Sequence, residues 1–153
     1  QKAGRKVALT LSDAFCVDRH RGEFLAFIRD HVDILFANES EVTSLYQTKS
    51  FEDASRHAAI DAKLAVLTRS AKGAVIHSGG EAVAVPADKV DRVVDTTGAG
   101  DLYAAGFLYG HANGLDARTC GRLGALAAAE IISHVGARPQ TDLAKLASER
   151  GLI

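Results

Sequence analysis

The residues 95–101, DTTGAGD, place three small residues directly before an aspartate. Gly98 and Gly100 permit backbone angles closed to other residues and let a ligand approach the main chain. If a helix begins near Gly100, its first N–H groups have no intrahelical partners. Together with the helix dipole they form a site for phosphate oxygens. Asp101 would repel such a ligand unless it faces the attacking group. An alcohol attacking a terminal phosphate must lose its proton, and a carboxylate within hydrogen-bond reach accepts it. The helix N-terminus favours the ionised carboxylate by roughly 0.3–1 kcal/mol, which makes Asp101 a weak base. In a loose phosphoryl-transfer transition state the proton leaves late, so position matters more than basicity. On spacing alone, a capping aspartate behind a glycine turn is the other outcome. Two other phosphate loops are excluded: no Gly-Lys pair occurs, and Tyr103 stands where a dinucleotide fingerprint needs its third glycine.

Three further stretches carry polar groups that could serve such a reaction. Asn38-Glu39-Ser40-Glu41 is an N-x-x-E, equally read as an asparagine cap followed by acidic residues. Residues 68–73, TRSAKG, end in a glycine suited to a turn. Residues 127–140, AAAEIISHVGARPQ, run from an apolar helical pattern into a turn. Cys16, Asp18 and His20 alternate in one segment, but two soft ligands without a second pair make a poor zinc site. They are read as loop or surface residues.

The elements that must hold these loops follow from periodicity. Residues 6–12, 32–38 and 64–69 are apolar, β-rich runs and read as buried strands. Residues 12–21 read as a loop. Helical spacing marks residues 23–30, 39–47, 51–60, 100–113, 116–134 and 141–150. Residues 74–86 are two alternating runs joined at Ser78-Gly79-Gly80, a hairpin signal. DRVVD, residues 91–95, reads as a brief strand, and Asn113-Gly114 as a C-terminal cap. Strands alternating with helices predict an α/β fold with a mainly parallel sheet, whose ligands gather beyond the carboxyl ends of the strands. SDAF, ANESE, TRSAKG and DTTGAGD each directly follow an expected strand.

With 153 residues, 47% hydrophobic and 24% charged, the chain can bury a real core, which excludes disorder, collagen and coiled coil. Net charge is −1 with both signs interspersed, so neither a nucleic-acid stripe nor a membrane-surface helix is expected. No apolar run approaches a membrane span. Cys16 and Cys120 form no CxxC pair, which fits a reducing cytoplasm, and both read as small buried hydrophobes. The chain lacks methionine and opens QKAGRK, which reads as a helix end and its exit turn. It is expected to be the later part of a longer protein.

Residues 95–108, DTTGAGDLYAAGFL, resemble the C-terminal signature of the ribokinase-like, or PfkB, carbohydrate kinase family at every position. The resemblance implies a three-layer α/β ribokinase-like fold with a mainly parallel central sheet. It also implies that Gly98, Ala99 and Gly100 form an anion hole for the transferred phosphate and that Asp101 activates the substrate hydroxyl. Asn38 and Glu41 match the family's N-x-x-E, which helps hold Mg2+, largely through water. Residues 68–73 resemble its T-x-G-x-x-G loop, with Ser70 replacing the middle glycine. Thr68 and Gly73 would then lie beside the phosphates of ATP, with Arg69 and Lys72 as helpers. Residues 127–140 resemble the helix and turn flanking the adenine, which makes Ala127, Ile131, His134 and Gly136 candidates. A potassium ion (K+), present in many members, would lie near Asp95, Thr97 and Gly136.

The segments DAFCVDRHRGEF, ILFANE and LYAAGF resemble bacterial adenosine kinase-like members, so adenosine is the expected acceptor and ribose or fructose the runner-up. The resemblance spans residues 1–153 as the C-terminal portion of one kinase domain. Its N-terminal substrate and lid part lies outside this chain. Alone, the chain is expected to be inactive. The expected partners are a small nucleoside or sugar and a second copy in a homodimer. A non-catalytic nucleotide-binding module is the alternative from another class.

Overall fold

In a computed structural model the structure describes residues 4–153, and the opening residues on which the expected exit turn begins lie outside them. The chain divides into two compact units. One holds the residues up to Arg69 together with Val75–Val83, and the other holds Ser70–Ala74 with Ala84–Ile153.

The first unit is built on a sheet of strand order β1-β2-β3-β4-β5. β1 (Ala8–Thr10), β2 (Ile34–Asn38) and β3 (Leu64–Thr68) are parallel, with Leu35 opposite Ala65 and Asn38 opposite Thr68. ILFA and LAVL are buried along their whole length, because strands covered on both faces must be apolar at every position. β4 (Ala74–Ser78) turns at Gly79-Gly80 into β5 (Glu81–Val85), as the hairpin signal predicts. Helices α1 (Ala14–Arg19), α2 (Arg21–His31), α3 (Glu39–Leu45) and α4 (Phe51–Asp61) fill the connections. Their buried faces meet the sheet in one core, with Val17, Ile28, Val42, Leu45 and Ala58 against Leu35 and Leu67. Each fully buried Val, Leu or Ile stabilises this unit by roughly 1.5–3 kcal/mol.

The second unit holds α5 (Ala99–Ala112), α6 (Ala117–Ile131) and α7 (Leu143–Glu149). α5 and α6 pack backbone against backbone. A Cβ added at Gly106 would lie 2.5 Å from the Leu123 carbonyl oxygen, and one at Gly124 would lie 2.8 Å from that of Tyr103. Phe107, Cys120, Leu123 and Ile131 fill the contact from the two sides. No helix among the described residues is long and apolar enough to cross a membrane.

Several sequence expectations differ from the structure: β1, expected as buried, has Ala8 and Thr10 exposed. The segment expected as a loop after β1 holds α1, started by Asp13, whose carboxylate accepts from the Phe15 N–H at 3.1 Å. A six-residue helix burying only Val17 leaves too short an apolar period to recognise. Cys16 lies on its outer side and is exposed, whereas Cys120 is buried. DRVVD is not a strand: the Val94 N–H donates to the Ile132 carbonyl at 2.8 Å instead of to a sheet neighbour. α6 ends at Ile131, so His134 stands in the turn beyond it.

Candidate active site

DTTGAGD closes into a turn that leaves a helix start open. Gly98 is the N-cap of α5 with φ 79°, a left-handed conformation that favours glycine, and no side chain caps the helix. The Ala99 N–H bonds back to the Thr96 carbonyl, and the Leu102 N–H to that of Gly98. Among the described residues, the N–H groups of Gly98, Gly100 and Asp101 meet no backbone acceptor. A Cβ at Gly100 would meet nothing within 4 Å, so the turn that carries these donors is uncrowded at that position. Asp101 stands in the first turn, exposed, and does not cap the helix, which removes the capping alternative.

The loop is braced from behind. Asp95 accepts the Thr97 N–H at 2.9 Å and the Gly136 N–H at 3.0 Å. The Thr97 side chain and N–H, and then the Gly136 N–H, hold the Asp95 carboxyl down to about 2. Gly136, with φ 101°, lets the late turn bring its N–H to that carboxylate. Ala137 of the same turn packs on Gly98, where an added Cβ would come within 3.0 Å of the Ala137 Cβ. His134 Nε2 lies 3.2 Å from Glu130 Oε1.

Glu130 is the residue that sequence reading missed. Its Oε1 accepts the Gln140 N–H at 2.8 Å, the Thr141 N–H at 3.1 Å and the Thr141 hydroxyl at 3.2 Å. Burial raises its carboxyl, but the Gln140, His134 and Thr141 donors outweigh that and leave it lowered. A lone charge within AAAEII was the available signal.

Asn38 and Thr68 lie in register at the carboxyl ends of β2 and β3, with Ser12 following the end of β1. Asn38 and Glu41 form a closed capping box at the start of α3. The Glu41 N–H donates to Asn38 Oδ1 at 2.9 Å, the Asn38 N–H to Glu41 Oε2 at 2.9 Å, and Asn38 Nδ2 to Glu41 Oε1 at 2.7 Å. Glu41 is 6% exposed, and that burial raises its carboxyl. Among the described residues no three His, Cys, Asp or Glu side chains gather to hold a metal directly. Each Glu41 oxygen accepts one hydrogen bond and so keeps acceptor capacity for a water of a hydrated Mg2+.

Arg69 differs from the expected phosphate helper. Its guanidinium stacks on Phe51, 3.8 Å from the ring centroid, and bonds both oxygens of Glu39 at 3.0 and 3.3 Å. In this geometry it ties the end of β3 to α3. Ser70 takes φ 50°, the left-handed conformation its family glycine would take freely. Lys72 ends the short 3₁₀ turn that follows, and is exposed. Gly73 is required by the fold itself: a Cβ there would lie 2.1 Å from the Val85 carbonyl oxygen. Ile131 is fully buried and presents no surface to a ligand, which corrects its expected place beside the adenine. Ala127 lines a mostly apolar groove of about 270 Å³ between α5, α6 and α7.

Comparison with known proteins places this architecture. The pfkB family carbohydrate kinase pattern matches residues 1–143. A nucleoside kinase of Methanocaldococcus jannaschii is 35% identical over 121 residues, covering 79% of this chain and 39% of that protein. The crystal structure of a probable sugar kinase from Rhizobium etli superposes with a TM-score of 0.97 at 52% identity, over 99% of this chain and 46% of that one. That of an adenosine kinase from Sinorhizobium meliloti gives a TM-score of 0.94 at 49% identity, over 97% of this chain and 46% of that one. The chain therefore belongs to the pfkB family of carbohydrate kinases, with the α/β, mainly parallel ribokinase-like fold, and spans less than half the length of these relatives.

Proposed function

We propose that the protein carrying this chain transfers the terminal phosphoryl group of ATP to a hydroxymethyl group of a nucleoside or sugar, with adenosine as first acceptor. The observation that carries this is the uncapped start of α5, with three free N–H groups and an exposed carboxylate one turn in. The N–H groups of Gly98, Gly100 and Asp101 receive the transferred phosphate's oxygens, where charge develops in the transition state. Ala99 holds the turn between them. Asp101 accepts the hydroxyl proton as the oxygen attacks phosphorus and the bond to the leaving diphosphate breaks. Bound Mg2+ would offset phosphate charge, held near Asn38 and Glu41 through water. The relatives named adenosine kinase and nucleoside kinase support the acceptor class.

Asp95, the Thr97 carbonyl and Gly136 are the groups we assign to a K+ ion, which fits a carboxylate that retains free lone pairs beyond its two N–H donors. Thr68 and Gly73 stay assigned to the nucleotide phosphates and His134 to the base side. We further propose a cytoplasmic location, a homodimer and no nucleic-acid or membrane partner. The test is Asp101→Asn in the whole protein, assayed by ADP release with adenosine, ribose and fructose. General-base loss lowers kcat about 10²–10⁴-fold while nucleotide binding stays. Turnover near wild type in that variant would overturn the base assignment.

A further inference from the structure

Glu130 is a buried carboxylate on an apolar helix, its side chain 7% exposed, and nothing in the helix itself needs it. All four of its partners lie in the stretch just beyond α6: His134, the Gln140 N–H, and the N–H and hydroxyl of Thr141. Every one of them meets Oε1, and Oε2 is buried without a partner. Such a group is retained only where its bonds hold something that apolar packing would not, since an unpaired buried oxygen is costly.

What it holds is the turn that touches the phosphate loop. Between Glu130 and Gln140 the chain presents the Ile132 carbonyl to the Val94 N–H, the Gly136 N–H to Asp95, and Ala137 to Gly98. Asp95 in turn holds the Thr97 N–H, one residue before the left-handed Gly98. Glu130 fixes both ends of this turn, since His134 precedes Gly136 and Gln140 follows Ala137.

We infer that Glu130 is a positioning residue for the phosphate loop, clamping the turn over residues 133–141 so that Asp95 and Gly98 hold the N–H groups of α5 in place. This rests on the proposed phosphoryl transfer for its purpose, although the mechanical coupling can be tested without it.

The experiment compares E130Q and E130L of the whole protein by residue-resolved amide hydrogen exchange. Gln keeps an acceptor at Oε1 and sets its NH2 where Oε2 has no partner, whereas Leu keeps the volume and removes the acceptor. In E130L the Gln140 and Thr141 amides exchange at least about tenfold faster, as expected for losing a charge-assisted hydrogen bond. The coupled amides of Thr97, Leu102 and Gly136 accelerate with them, those of Leu35 and Ala37 in β2 stay at wild-type rates, and E130Q falls between. Should E130L not fold, E130Q alone must show the acceleration at both places. Faster exchange at Gln140 and Thr141 with Thr97 and Leu102 at wild-type rates overturns the inference. In the whole protein, kcat falls in the same order while the KM for the acceptor holds, and an equal rise in that KM counts against it. Absence of turnover in the wild type would refute phosphoryl transfer and leave the exchange result to decide the coupling.

Discussion

Replacing Gly100 with alanine separates what the fold needs from what a ligand needs. Gly100 lies in the first turn of α5 with an ordinary negative φ, and a Cβ there meets nothing within 4 Å. The fold therefore loses no contact. Alanine is favoured over glycine in a helix by roughly 0.5–1 kcal/mol. A chain of this length moves about 2–4 °C per kcal/mol and one twice as long about half that, so the midpoint of the whole protein rises by about 0.5–2 °C. The same methyl projects into unoccupied space on the turn that carries the free N–H groups, the proposed seat of the transferred phosphate. Blocking one donor of a preorganised anion hole lowers kcat about 10²–10³-fold. Gly98→Ala is the contrast. Its φ of 79° costs an alanine about 1–2 kcal/mol, and its Cβ crowds Ala137, so stability and turnover fall together. Calorimetry and an ADP-release assay on the whole protein read both effects. A Gly100→Ala protein with wild-type turnover would refute phosphate binding at this loop. One less stable than wild type would show that Gly100 serves the fold.

Ser70→Gly removes the strain of a left-handed serine at φ 50° and raises stability by about 0.5–1 kcal/mol; a denaturant midpoint unchanged or lowered would show that the serine side chain compensates. Asp95, lowered from 3.8 to about 2 in the fold, contributes stability that is fully present above pH 3.8 and is lost as pH falls toward 2. The Thr97 and Gly136 amide NMR shifts should therefore hold from pH 7 to pH 5 and move together below pH 4; movement near pH 6 would mean that another group governs the loop.

The α/β rhythm was legible because the strands ILFAN and LAVLT carry unbroken apolar runs and their helices carry clear periods. The glycine loop was legible for a different reason. Left-handed turns and close approaches restrict residue type, so Gly98 announces its own geometry. Interactions that depend on distant partners left weaker traces. Arg69 is written beside a phosphate-loop pattern, yet Glu39 and Phe51 claim it from far along the chain. DRVVD has the composition of a strand, but a strand needs a neighbour, and its Val94 N–H found the end of α6. Ile131 fits an apolar face equally well beside an adenine or inside a core, and burial decides for the core. Ser70 shows the converse: a residue that departs from the motif yet takes a left-handed backbone conformation that glycine adopts more readily.

The helix starts in this chain make a controlled comparison. Among the described residues, α1, α3, α4, α6 and α7 each begin with a side chain accepting a first-turn N–H, from Asp13, Asn38, Ser50, Asp116 and Asp142. Only α2 and α5 do not, and α2 follows α1 through the single residue His20, which ends one helix and starts the other. α5 has a free choice, with Thr96 and Thr97 at hand, and takes Gly98. Glycine at that position forfeits only a few tenths of a kcal/mol relative to a capping side chain, so the fold tolerates it cheaply. A capped start satisfies its donors internally and has fewer to offer an anion; an uncapped one keeps them all. At α3 the Asn38–Glu41 box closes the helix on itself. At α5 the donors stay open and the carboxylate stands apart from them. One chain thus holds a helix start closed on itself and another whose first donors stay open, and the difference is set by asparagine in one and glycine in the other.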